Sequence, residues 1–73
     1  MAEKTDFELK AANLLKAELK RKGVTYAGLV EKLAAIGVDE KEANVRNKLS
    51  RGKFTAAFLL QCLSAIEVDS VRL

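Results

Sequence analysis

The 73-residue chain has no histidine, no proline and no tryptophan, and a single cysteine, Cys62. The missing histidine and the single cysteine close off classes of function. Without histidine the commonest general base is missing, as is the usual partner of a Ser or Cys nucleophile. No glycine loop able to cradle a phosphate stands in the chain either, so no enzymatic activity is expected. One cysteine and no histidine exclude an internal disulfide and a Cys/His zinc site, so no cofactor or metal is expected. The longest apolar runs, such as Ala56-Ala57-Phe58-Leu59-Leu60, fall far short of the roughly 20 residues that span a bilayer. The opening Met-Ala-Glu-Lys-Thr-Asp has no apolar signal core, and a lone thiol suits a reducing compartment, so a cytoplasmic location is expected.

What the chain does have is a balance of 49% hydrophobic and 32% charged residues, enough to build a core and cover it. The length allows one small domain, placed at 6–68 with a short tail at 69–73. Domains of this size are often reinforced by self-association, and a homodimer is expected here. No internal repeat or low-complexity stretch is read in the chain, so glycines and capping residues must mark its boundaries.

Phe7, Ala11, Leu14, Leu15 and Leu19 recur every three or four residues and predict a helix over 6–22, with Asp6 as its N-cap and Gly23 at its end. Thr25 caps a second helix over 25–36 that buries Leu29, Val30, Leu33 and Ala34 or Ile36 and ends at Gly37, with Gly28 inside it read as a close approach to a neighbouring helix. Asp39 and Glu42 have capping-box spacing, which starts a third helix at 39 and carries it to 51, before Gly52. Phe54 as a staple and Thr55 as N-cap introduce a fourth, almost wholly apolar helix that ends near Glu67 and should be central. Cys62 falls in its apolar stripe, which favours a buried, inert thiol over a redox sensor.

The third helix is the unusual one. Its strong apolar positions are Val45 and Leu49, one turn apart, so it touches the core along a narrow line. Residues 43–53 carry Arg46, Lys48, Arg51 and Lys53 with no acid, whereas 39–42 holds Asp39, Glu40 and Glu42 against Lys41. Helix capping explains part of that polarity. It leaves Asn44 and Asn47 unexplained. An Asn side chain offers a donor and an acceptor to an adenine edge, and Arg offers two donors to guanine, so this helix has chemistry suited to the DNA major groove. A second basic cluster, Lys16, Lys20, Arg21 and Lys22, fits phosphate contact and dipole compensation equally well.

Gly23-Val24-Thr25, Leu29, Leu33, Gly37-Val38, Val45, Leu49, Arg51-Gly52 and the closing Ala65-Ile66-Glu67-Val68 together resemble the lambda-repressor-like helix-turn-helix domains of the Xre/Cro type over roughly 23–68. The stretch from Gly23 through Lys48-Leu49-Ser50-Arg51-Gly52-Lys53-Phe54 to Phe58–Leu63 is also similar to a family of short bacterial proteins known only as a domain of unknown function. The first resemblance implies an all-α bundle of four to five helices whose third helix enters the major groove. It implies a transcriptional regulator that binds double-stranded DNA as a homodimer. Base-reading candidates are then Asn44, Arg46, Asn47 and Lys48, and phosphate candidates are Thr25, Tyr26, Lys41, Arg51 and Lys53. Tyr26 fits equally well as an amphipathic ring laid over the core. The interval from Gly37-Val38 to Arg51-Gly52 is about three residues longer than in such repressors, with Asp39-Glu40-Lys41-Glu42 as the extra material. The alternative is a helical protein-protein interaction module that docks the same helix on an acidic protein partner.

Overall fold

The computed structural model describes residues 5–73, so the first four residues of the N-terminal stretch read above lie outside the described part. Four helices follow one another: α1 (Asp6–Lys22), α2 (Tyr26–Ala35), α3 (Glu42–Arg51) and α4 (Ala56–Ala65), with no strand among the described residues.

Two helix starts differ from expectation. α1 is capped by Thr5 rather than Asp6: the Glu8 N–H donates to Thr5 Oγ1 at 3.0 Å and the Thr5 N–H donates to Glu8 Oε1 at 2.8 Å. That reciprocal pair satisfies two N–H groups, and Asp6 then lies inside the first turn, where its charge suits the dipole. The third helix does not start at Asp39. It begins at Glu42, after an extended Lys41 (φ −110°, ψ 148°) that contributes no side-chain cap. Residues 38–41 form a connector in which Glu40 finds a more distant partner, described below.

The helices pack as a cycle, α1 on α3, α3 on α2, α2 on α4 and α4 on α1. No helix occupies the centre, α4 included. Leu15 and Leu19 of α1, Leu29 and Leu33 of α2, Val45 and Leu49 of α3, and Phe58, Cys62 and Leu63 of α4 all point into the shared core, joined by Ile66. The outer side of α4 stays open, with Ala56, Ala57, Leu60 and Ser64 exposed. Beyond α4 the chain is irregular: Val68 and Val71 pack against the core and Leu73 is exposed. No helix among the described residues is long and apolar enough to cross a membrane.

The helix ends uncover a repeat that the reading above missed. Residues 25–39 and 55–69 share Thr, Ala, Leu, Leu, Ala, Ile, Val and Asp at matching places, from Thr25 and Thr55 to Asp39 and Asp69. Both threonines cap, accepting from the N–H three residues on, Gly28 at 3.0 Å and Phe58 at 2.9 Å. Both helices close with a 6→1 bond, Val38 N–H to Leu33 O and Val68 N–H to Leu63 O, and with a 5→2 bond from the preceding residue, Gly37 N–H to Ala34 O and Glu67 N–H to Ser64 O. This Schellman geometry puts the residue before each valine in the left-handed region. Gly37 takes φ 83° without penalty, whereas Glu67 holds φ 61° as a non-glycine residue. Gly28 does not mark a helix-helix approach. A Cβ there would meet Thr25 Oγ1 at 3.3 Å and Val24 Cγ1 at 3.5 Å, both from the turn just before it.

Candidate nucleic-acid interface

α3 touches the core through Val45 and Leu49, each 0% exposed, and turns the rest of its circumference away. At about 100° per residue, those two set the inward direction and Asn47 lies opposite them. Asn44 and Arg51 flank Asn47 on one side, Ala43 and Ser50 on the other, and all five are exposed. This outward strip carries amide, hydroxyl, methyl and guanidinium groups and no carboxylate. Gly52, at φ 71°, ends the helix by donating its N–H to Lys48 O at 2.9 Å, and Lys53 follows in the open.

Arg46 and Lys48 sit on the two flanks of the strip, and each has a carboxylate partner. Arg46 Nη2 donates to Glu42 Oε2 at 2.7 Å, an exposed pair one turn apart of a kind worth about 0.3–0.5 kcal/mol. Lys48 is held more firmly. Its Nζ donates to Glu40 Oε2 at 2.7 Å and lies 4.4 Å from the centroid of the Phe58 ring, so the α2–α3 connector, α3 and α4 meet at this ammonium. Phe58 is braced in turn by Phe54, with ring centroids 5.5 Å apart and planes tilted by 59°. The Glu40 side chain keeps 12% of its surface exposed against 37% for Lys48. The Lys48 hydrogen bond holds the Glu40 carboxyl below its ordinary value of 4.5 against the opposing effect of burial, and the Lys48 charge, the Asn44 amide and the Lys41 backbone add to it.

Lys41 stands exposed at the α3 N-cap. Thr25 and Tyr26 lie at the far end of α2 from the connector to α3, where the Thr25 hydroxyl caps the helix. The half-buried Tyr26 ring packs on the core and lines a shallow depression with Lys16, Lys20 and Thr25. The structure therefore brings Asn44, Asn47 and Arg51 onto one strip. It sets Arg46 and Lys48 aside into ion pairs and gathers Thr25 and Tyr26 into a separate group with two lysines of α1. Sequence reasoning passed over Ala43 and Ser50, which the helical period alone places beside Asn47. It also passed over Glu40 as the partner of Lys48, for which an eight-residue separation across a connector leaves no local signal.

The family described as Domain of unknown function (DUF6471) matches residues 7–71. The chain belongs to this family. The match to this DUF6471 chain takes in α2, α3 and α4 whole, all of α1 except Asp6, and the start of the tail. No curated protein and no solved structure matches the chain.

Proposed function

We propose that this DUF6471 chain is a small sequence-specific DNA-binding protein, a transcriptional regulator of the lambda-repressor-like helix-turn-helix type that reads the major groove with α3 as a homodimer. The observation that carries this reading is the outward strip of α3, which exposes Asn44, Asn47 and Arg51 on a helix with only two residues in the core. Asn and Arg are the side chains that pair bidentately with adenine and guanine, and a helix anchored along so narrow a line is free to enter a groove. α2 packs on α3, as a helix-turn-helix pair requires. Lys41 and Lys53, at the two ends of α3, supply phosphate contacts beside the strip, and the separate Lys16–Lys20–Tyr26 group is a further phosphate candidate.

The test is selection from a randomised duplex pool at two salt concentrations, with the oligomeric state measured in the same buffer. A dimer that enriches a two-fold motif, with affinity falling steeply as salt rises, is the expected result. Absence of binding at low salt overturns the reading and leaves the same strip as a docking site for an acidic protein.

A further inference from the structure

Four cations lie on or just beyond α3, and their surroundings divide them. Arg46 is paired with Glu42, and Lys48 is held between Glu40 and the Phe58 ring. Arg51 and Lys53 form no ion pair among the described residues, and only Arg51 lies on the strip centred on Asn47. We propose that Arg51 is the guanine-reading residue of α3 and that Lys48 reads no base, being locked out of the groove by Glu40 and Phe58. This rests on the DNA-binding reading above and assigns the base contacts within it.

Position and desolvation separate Lys48 from Arg51. To reach a base edge Lys48 has to leave a carboxylate at 2.7 Å and an aromatic face at 4.4 Å, and it lies about 100° around the helix from the direction in which Asn47 points. Arg51 has no ion pair to give up among the described residues and lies about 40° from that direction. Its planar fork matches the O6 and N7 acceptors of guanine, a geometry that the ammonium of a lysine meets less well. Along the axis Arg51 lies about 6 Å beyond Asn47. With base pairs stacked about 3.4 Å apart, that places a guanine about two steps beyond the adenine that Asn47 reads. Asn44 shares the Glu40 carboxylate with Lys48 and is assigned no base.

The experiment is the same randomised-pool selection, run with wild-type protein, Arg51→Lys, Lys48→Met and Asn47→Ala, with a thermal melt of each. Arg51→Lys keeps the charge that a phosphate contact needs and removes the fork that a guanine contact needs. The expected result is a wild-type half-site containing the guanine. Arg51→Lys should lower that preference by about five- to a hundredfold while keeping the salt dependence, Lys48→Met should leave it in place, and Asn47→Ala should relax the adenine position. Should Arg51→Lys fail to fold, Arg51→Gln carries the same comparison. A wild-type motif whose guanine survives the Arg51 change, or is lost in Lys48→Met, overturns this inference and leaves DNA binding standing. A motif without guanine does the same. A wild-type protein that enriches no motif removes the parent reading and this one together.

Discussion

Just after α2, Ile36 leaves 49% of its surface in water, so neither it nor the exposed Ala34 completes the buried stripe expected of that helix, whereas the matching Ile66 after α4 keeps only 4%. Leu29 is fully buried and Leu59, its counterpart, only partly so; Phe58 stands at the position matching Gly28 in the repeat, Cys62 at that matching Lys32, and Glu67 at that matching Gly37. The two segments share a cap and a closing turn and differ in what surrounds them. The comparison separates what a short stretch of chain decides for itself from what its neighbours decide for it, and it can be tested at each matched pair.

The largest expected contrast is chemical. Burial pushes the Cys62 thiol from an ordinary 9.0 up to about 12, with the Glu40 carboxylate adding to the rise and the Lys48 ammonium opposing it. A cysteine placed at the exposed position 32 by Lys32→Cys should react with a water-soluble thiol reagent roughly a thousandfold faster than Cys62, which should label only on unfolding. Equal labelling of the two in the native protein would erase the difference in burial between the helices. Next come the isoleucines. Ile66→Ala should cost about 2–4 kcal/mol in a denaturant melt, and Ile36→Ala should stay within about 0.5–1 kcal/mol. Similar losses at both sites would mean that Ile36 is covered in solution, for example by a second copy of the chain.

The closing turns give a smaller effect of opposite sign. Glu67→Gly relieves a left-handed residue and should stabilise the protein by about 1 kcal/mol, while Gly37→Ala places a Cβ in the same conformation and should destabilise it by a similar amount. If Glu67→Gly lowers stability instead, the glutamate has a role that its backbone conformation does not reveal. The smallest effect belongs to Gly28→Ala. The Cβ contact at 3.3 Å from Thr25 Oγ1 is close, yet Phe58 carries a Cβ at the same place over the same threonine cap. A gain of up to about 1 kcal/mol is expected from the better helix former, and a clear loss in the thermal melt would show that the two caps are not equivalent.

Much of the fold could be read from the residues in order, since helix starts at Thr25 and Thr55 and stops at Gly23, Gly37 and Gly52 depend on groups three to five positions apart. The same reasoning misplaced the start of α3. Asp39 and Glu42 have capping-box spacing, but spacing does not say whether residues 39–41 will leave their extended path, and in the fold Glu40 is drawn to Lys48 instead. The repeat was legible and was overlooked, because Gly28, Lys32 and Gly37 against Phe58, Cys62 and Glu67 hide it at its most distinctive positions. At the candidate site, the helical period was enough to group Asn44 with Asn47. It was not enough to tell Arg51 from Lys48, which differ in their partners rather than in their charge.

The four helices, most of their ends and the two-residue line by which α3 holds the core follow from the order of residues, because the responsible hydrogen bonds and apolar periods close within a turn or two of chain. That Ile66 is covered and Ile36 is not, and that Lys48 is held between Glu40 and Phe58 while Arg51 stays open, emerges first in the assembled bundle. Those outcomes depend on packing between helices, where groups distant along the chain compete for the same neighbours.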